Sequence, residues 1–327
     1  MSWTGKRVLV TGAGGFIGSH LTEALVRAGA SVRAMVHYNS AGRRGWLDES
    51  PLHREMEIVA GDITDSGSVA AAMQGREVVF HLAALIAIPY SYTAPLSYVQ
   101  TNIVGTLNVL EAARRLGTER IVQTSTSEVY GTAQFVPISE THPLQGQSPY
   151  SASKIGSDKL AESYYRSFSL PVVTVRPFNT YGPRQSARAV LPTIITQCLA
   201  GQTVRLGSLT PTRDLNYVAD TASGFMACAA HPDAVGKTLN IGSGREISVG
   251  DLAQLVAKLV GTNVRIECDE QRLRPAASEV ERLLADNRLA AETVGWRPAV
   301  SLEDGLQQTI AWFRENSKGY RADVYNV

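Results

Sequence analysis

Short apolar runs alternate with amphipathic stretches through the first half of the chain. Residues 6–11 read as a buried strand. A glycine-rich turn follows, then a helical pattern over 19–28 that carries Leu21, Ala24 and Leu25 on one stripe and closes at Gly29. Further strands are expected at 31–36, 57–60, 77–82, 120–123 and 172–176, with an amphipathic helix at 102–116 built on Val104, Leu107, Val109, Leu110 and Ala113. Residues 86–97, with Pro89, Tyr90, Ser91 and Tyr92, read as a loop. Beyond Arg176 the alternation weakens to short strand signals at 204–207, 212–220 and 238–241, with helices predicted at 249–260 and 302–315. Buried strands separated by helices predict an α/β chain: a doubly wound parallel sheet with a smaller, interleaved C-terminal α/β domain.

The first turn reads Thr11-Gly12-Ala13-Gly14-Gly15-Phe16-Ile17-Gly18. Gly12, Gly15 and Gly18 permit a tight turn, close approach of backbone N–H groups to a pyrophosphate, and close packing of helix on strand. Between a strand and a helix, this loop predicts a Rossmann-type dinucleotide site that includes Phe16 and Ile17. An NAD-specific site places an acid after the second strand. Val36-His37-Tyr38 stands there instead, with Arg43 and Arg44 in the next loop. NADP is therefore admissible and slightly favoured over NAD, although a solvated loop explains the arginines equally well. Asp62 and Ile63 are expected to flank the adenine. Leu82, Ala83 and Ala84 leave room for the dinucleotide, and Thr101 borders it.

Two further stretches carry chemistry, Ser-Thr-Ser-Glu-Val-Tyr-Gly at 125–131 and Ser-Pro-Tyr-Ser-Ala-Ser-Lys at 148–154. Ser148 suits a helix N-cap and Pro149 the first helical position, which sets Tyr150 and Lys154 four apart on one face. A neighbouring cation and a positive helix end both favour the phenolate. Tyr150 is thus expected to titrate below the ordinary phenol value of about 10, as a general base requires. A lone Tyr-x-x-x-Lys pair is a weak sign. Thr126 and Glu128 strengthen it, because they lie just past the strand at 120–123, where open parallel sheets hold their ligands.

The 327 residues, 44% apolar, can bury one or two cores. Lysine and arginine (31) nearly balance aspartate and glutamate (30), and no basic run or acidic tail argues for nucleic acid or a membrane surface. Anion binding must then come from individually placed residues. Cys198, Cys228 and Cys268 lack Cys-x-x-Cys spacing and read as reduced, mostly buried thiols of a cytoplasmic protein, with neither a disulfide nor a metal site. The longest apolar run, 78–88, contains His81 and is too short to span a bilayer.

TGAGGFIG at 11–18, TSEVYG at 126–131, YSASK at 150–154 and RPFNTYGPRQ at 176–185 resemble the extended short-chain dehydrogenase/reductase superfamily over nearly the whole chain. Within it the stretch 127–154 is similar to nucleotide-sugar 4,6-dehydratases, most of all those of legionaminic-acid-type nonulosonate pathways, which act on a nucleotide-linked N-acetylglucosamine. The resemblance implies that Tyr150 and Lys154 are the hydride-transfer pair, that Thr126 holds the sugar 4-hydroxyl and that Glu128 is the base for C5. Ser127 stands where glucose-type enzymes carry an aspartate, as it does in the GDP-mannose type. The acid for the C6 hydroxyl is therefore open, with Glu128 serving as both base and acid or acting through water. Asn179, Arg184, Arg213 and Arg274 match positions that hold the diphosphate or nucleotide, and Arg205 and Tyr90 are further candidates. Each arginine could instead pair with a structural carboxylate, such as Asp214 beside Arg213.

The implied domains are a dinucleotide-binding one at 1–180 with a returning segment near 215–241, and a nucleotide-sugar-binding one at 181–214 and 242–327. A homodimer is also implied. The helix at 102–116 and the one starting near Tyr150 are its candidate faces, although packing on the sheet explains the same stripes. The expected reaction is NAD(P)-dependent 4,6-dehydration of GDP- or UDP-N-acetylglucosamine. A 4-epimerase would need only Tyr150, Lys154 and Thr126, and a redox-sensing binding protein only the dinucleotide site, so Glu128 favours the dehydratase.

Overall fold

The computed structural model describes residues 2–201, 203–273, 275–316 and 320. In chain order its elements are β1 (Arg7–Thr11), α1 (Phe16–Arg27), β2 (Ser31–His37), β3 (Glu57–Gly61), α2 (Ser66–Met73), β4 (Val78–His81), α3 (Ile88–Thr93), α4 (Pro95–Tyr98), α5 (Gly105–Leu116), β5 (Arg120–Thr124), α6 (Pro149–Phe168) and β6 (Val172–Pro177). There follow β7 (Asn179–Tyr181), α7 (Val190–Ala200), β8 (Thr203–Leu206), β9 (Thr212–Tyr217), α8 (Val218–Ala230), β10 (Thr238–Ile241), β11 (Glu246–Ser248), α9 (Val249–Val260), β12 (Arg265–Cys268), α10 (Arg288–Val294) and α11 (Leu302–Asn316).

Seven parallel strands form one sheet in the order β10-β6-β5-β4-β1-β2-β3. Both faces are covered, which is why its central strands read as unbroken apolar runs. Along β1, Val8 and Val10 face Leu21 and Leu25 of α1 and Phe225 of α8, while Leu9 faces Val109 and Leu110 of α5 on the other side. Each such fully buried side chain contributes roughly 1.5–3 kcal/mol relative to exposure. Chain order reverses between β1 and β4, and the crevice opens there at the carboxyl ends of the strands.

The smaller lobe packs α7, α9 and α11 through Ile194, Ile195, Leu252, Val256, Ile310 and Phe313. It includes a three-stranded sheet, β11-β9-β7, and the parallel pair β12-β8. The lobes interleave: α8 and β10 return to the large sheet, and Ala290 of α10 and Trp296 join its core as well.

Some expectations need correction. The stretch 86–97 is not a loop but holds α3 and α4, each with proline in its first turn, a position that needs no N–H partner. Regular α5 begins only at Gly105, because Val99–Val104 forms a π-helix. The weak signals after 176 hid α7 and α8, rich respectively in β-branched and in small residues. Cys198 and Cys228 are buried, but Cys268, at the end of a short edge strand, is exposed. The apolar stripes of α5 and α6 pack on the sheet, while Leu116, Tyr165 and Phe168 are left outside. Among the described residues no helix is long and apolar enough to cross a membrane, and no group of three or more His, Cys, Asp or Glu could hold a metal ion.

Candidate active site

The crevice encloses about 1320 Å³ between the lobes. Single-ligand pockets span about 300–1,000 Å³, so the space suits a dinucleotide together with a second ligand.

At one end, Gly12 adopts φ +69°, and a methyl on Gly18 would lie 2.1 Å from the Gly12 carbonyl oxygen, so neither position tolerates a side chain. Helix α1 starts at Gly15 with no side-chain cap and no acid in its first turn, leaving its first N–H groups at the crevice. This is an anion cradle, and it fits the pyrophosphate of a nicotinamide dinucleotide. The loop after β2 closes over it, with the Trp46 N–H donating to the Gly14 carbonyl at 3.0 Å. Gly15, Phe16, Ile17, Leu82, Ala83, Ala84 and Thr101 line the crevice, and exposed His37 and Arg43 stand on its rim. Ile63 and Asp62 also line it, and Asp62 Oδ1 accepts from the N–H and hydroxyl of Thr64, each at 2.8 Å.

At the other end, Thr126 caps the turn Ser127–Tyr130 by accepting the Glu128 N–H at 3.2 Å. Thr126, Ser127 and Glu128 all line the crevice. Opposite them α6 starts as expected. Ser148 and Ser151 form a reciprocal cap, Pro149 follows the N-cap, and Tyr150 and Lys154 share the inner face. Tyr150 meets Tyr98 edge-on at 6.2 Å and lies beside the Thr126 hydroxyl.

The expected lowering of Tyr150 is not found. Burial pushes the phenol well above its ordinary value, and Glu128 adds to the effect, against a smaller opposing contribution from Thr126. Lys154 Nζ donates to the Thr124 carbonyl at 2.6 Å. Burial lowers its pKa to about 8, and only the Asp158 carboxylate opposes this.

Among the described residues three carboxylates line the crevice. Asp62 is engaged by its own turn at the adenine end, and Glu279 is paired with Arg213 at 3.1 Å. Glu128 alone lies beside Tyr150, and no described side chain bonds to its carboxylate.

The residues expected at the substrate divide. Asn179 and Arg213 line the crevice, and the buried Asn179 Oδ1 has no hydrogen-bond partner among the described residues. Arg213 pairs with Glu279, not with Asp214, whose carboxylate accepts from Ser243, Gly244 and Ala285. Arg184 is withdrawn from the crevice: at φ 70° it reaches back to the buried Glu23 of α1 at 2.9 Å and ties the β7 exit to that helix. Arg205 alternates with buried Val204 and Leu206 on β8, so the pleat turns it to solvent. Tyr90 lies outside the lining, exposed and near Tyr98. Arg274 lies outside the described residues. Arg188, Gln185 and Arg272 line the crevice without having been expected. Arg188 falls three residues beyond the last matched motif, and Arg272 is two residues from Arg274, so proximity to those motifs was the one available signal.

A doubly wound sheet, a glycine cradle at its switch point and a Thr/Tyr/Lys set across the crevice together define an enzyme of the extended short-chain dehydrogenase/reductase class, built for a nicotinamide dinucleotide. A family model described as GDP-mannose 4,6 dehydratase matches residues 9–309, and the chain belongs to that family of nucleotide-sugar dehydratases and epimerases. A UDP-glucose 4-epimerase of Mycolicibacterium smegmatis is 35% identical over 318 residues, 95% of this chain and 100% of the relative. A dTDP-glucose 4,6-dehydratase of an Actinoplanes species is 33% identical over 319 residues, covering 95% and 98%. Among solved structures, DesIV of Streptomyces venezuelae, a dTDP-glucose 4,6-dehydratase with NAD bound, superposes with a TM-score of 0.86 at 31% identity, covering 96% of this chain and 99% of that one.

Proposed function

We propose that the protein catalyses NAD(P)-dependent 4,6-dehydration of GDP- or UDP-N-acetylglucosamine to the 4-keto-6-deoxy sugar nucleotide, a step of nonulosonate synthesis. The observation that carries this reading is Glu128, a carboxylate beside Tyr150 and Thr126 with no side-chain partner among the described residues. Epimerisation at C4 has no use for it, whereas elimination requires a base for C5.

Thr126 orients the sugar 4-hydroxyl and Tyr150 takes its proton, while the Lys154 ammonium stabilises the phenolate. A nicotinamide dinucleotide held by the cradle of Gly12, Gly15 and Gly18 would supply the acceptor for the C4 hydride and the hydride for C6. The resulting C4 ketone acidifies the C5 proton, which Glu128 removes. Ser127 has no acidic proton to give at working pH, and the other carboxylates of the crevice are committed elsewhere. Glu128 therefore also protonates the departing C6 hydroxyl, so the C5 proton leaves in the released water; as hydride arrives at C6, C5 takes a new proton from solvent through Glu128, and Tyr150 returns the O4 proton to solvent. Asn179 and Arg213 hold the nucleotide diphosphate, Glu279 giving way to it. NADP is slightly favoured over NAD because Arg43 and Arg44 border the site and no acid follows β2. The protein acts in the cytoplasm as a homodimer, and the exposed Leu116, Tyr165 and Phe168 on α5 and α6 support that face.

The second reading, a 4-epimerase, is favoured by relatives such as the UDP-N-acetylglucosamine 4-epimerase of Methanobrevibacter ruminantium, with a TM-score of 0.85 at 27% identity over 96% of this chain and 99% of that one. One assay separates the two: incubation with UDP- and GDP-N-acetylglucosamine in deuterated water, followed by mass spectrometry. Loss of one water with label at C5 is the expected result. Unchanged mass with a new stereoisomer would establish the epimerase. Glu128→Gln should still reduce the bound cofactor transiently but release no product, and full turnover by that variant would remove Glu128 from the reaction.

A further inference from the structure

Behind the crevice lies a buried polar network that the proposed chemistry does not use. Asp158 follows Lys154 by one turn of α6, and Arg176 lies near the end of β6. Both are only 5% exposed and neither lines the crevice. Asp158 Oδ2 accepts Arg176 Nε at 3.2 Å, Arg176 Nη2 at 3.0 Å and the Ser125 hydroxyl at 2.7 Å. Arg176 Nη1 donates to the Tyr130 hydroxyl at 3.0 Å, which in turn donates to Asn240 at 2.7 Å, and the guanidinium lies 4.9 Å from the Tyr130 ring centroid. Asp158 Oδ1 is buried with no hydrogen-bond partner among the described residues.

Position in the chain gives this network its meaning. Ser125 immediately precedes Thr126, and Tyr130 ends the turn that holds Glu128. Arg176 lies three residues before Asn179, and Asp158 rides on the helix of Tyr150 and Lys154. A buried ion pair is not retained for stability, since desolvation offsets most of its attraction. We propose that Asp158 and Arg176 are positioning residues: their ion pair fixes the segments bearing Thr126, Glu128 and Asn179 against α6, and it keeps a negative charge one helical turn from the Lys154 ammonium. This rests on the reading of Thr126, Glu128, Tyr150 and Lys154 as the reacting set.

Other charges around Lys154 do not replace that of Asp158. His81, at the end of β4, is fully buried and held neutral, its pKa lowered to about 3 by burial and by Lys154 itself. Tyr150 on the same helix and Tyr98 of α4 are both pushed up, chiefly by burial, and stay neutral. Arg176 of β6 is a cation, and Glu128 of the turn after β5 faces the crevice.

The test uses the cofactor-loaded enzyme with ε-13C-lysine labelling, the Lys154 resonance being assigned by its loss in Lys154→Met. In Asp158→Asn the Lys154 titration should fall by about one pH unit or more, the usual effect of removing a close opposite charge. The basic limb of kcat/KM should move to lower pH with it. The double variant Asp158→Asn/Arg176→Gln removes the cation left uncompensated in the single variant, so its thermal midpoint should recover while the Lys154 shift persists. Wild-type titration of Lys154 in either variant would overturn the proposal. Ser125→Ala keeps both charges and should fold; misplacement of the Thr126 segment should lower kcat about tenfold at nearly unchanged KM, and an unchanged kcat would also overturn the proposal. Turnover is read on whichever nucleotide sugar the wild type converts. The lysine titration needs no substrate, so failure of the N-acetylglucosamine assignment and failure of this proposal are distinguishable.

Discussion

Lys154 gives the most demanding test of the site. Its side chain is 4% exposed, and burial takes its pKa from the ordinary 10.5 to about 8. Such a fall corresponds to roughly 3 kcal/mol of native-state instability while the amine is charged. Unfolding releases that penalty, because the unfolded lysine keeps its proton up to its ordinary value. Below pH 8 the whole penalty is present. Between pH 8 and 10.5 the unfolded state binds more protons than the folded state, so stability rises with pH and the penalty disappears. Lys154→Met removes the charge at nearly constant volume but takes from the Thr124 carbonyl its shorter side-chain hydrogen bond, leaving it the Gln123 Nε2 donor at 3.3 Å, at a cost of about 1 kcal/mol. The variant should therefore be inactive yet more stable than wild type by about 2 kcal/mol at pH 7. Its advantage should vanish by about pH 10. Urea unfolding at pH 7, 8.5 and 10, at matched cofactor occupancy, measures this directly. A variant less stable than wild type at pH 7, or an advantage independent of pH, would refute the reasoning.

The other expectations concern the cofactor cradle and the segment facing it. Gly18→Ala places a methyl 2.1 Å from the Gly12 carbonyl oxygen and should weaken dinucleotide binding at least tenfold, read by fluorescence titration, with near-normal far-UV circular dichroism. Trp46, in the loop over the cradle, meets Trp312 of α11 edge-on at 5.5 Å. An aromatic pair contributes about 0.5–1.5 kcal/mol, so Trp46→Ala should weaken cofactor affinity about 2- to 10-fold, and unchanged affinity would show that the loop closes without that contact. Asn102, in the π-helix, bonds the Leu85 N–H and carbonyl at 2.9 and 3.0 Å and Ser153 at 2.9 Å. Asn102→Ala should cost roughly 3 kcal/mol by removing the partner of the half-buried Leu85 N–H and carbonyl and one of the two bonds of Ser153, seen as an earlier urea midpoint.

Much of the architecture was legible because local pattern and tertiary environment agree in the large sheet. Apolar runs such as Val8-Leu9-Val10 need both faces covered, and a glycine turn leading into a helix has few other uses. In α7 and α8 the local preferences are weak and the helices are held by packing of residues such as Ile195 and Phe225, which no window of sequence displays. The substrate arginines failed for a related reason. Residue type advertises a guanidinium, but whether it faces a ligand or a carboxylate depends on pleat and turn, as Arg205 and Arg184 show.

Tyr150 exposes the deeper limit, since two influences visible in the sequence, a cation four residues on and a helix N-terminus, both point to a lowered phenol. Neither wins, because the Lys154 ammonium is held by the Thr124 carbonyl and the phenol is enclosed by Tyr98 and Thr126. In water a nearby charge decides a pKa; in a closed apolar site the loss of hydration outweighs it. A phenol held neutral in this way must first give its own proton to solvent, so the base that takes the sugar proton is the minor phenolate form, which the Lys154 ammonium stabilises. The pH profile of kcat/KM should accordingly report Lys154 rather than Tyr150. A limb that survives unchanged in Asp158→Asn would return the assignment to the phenol.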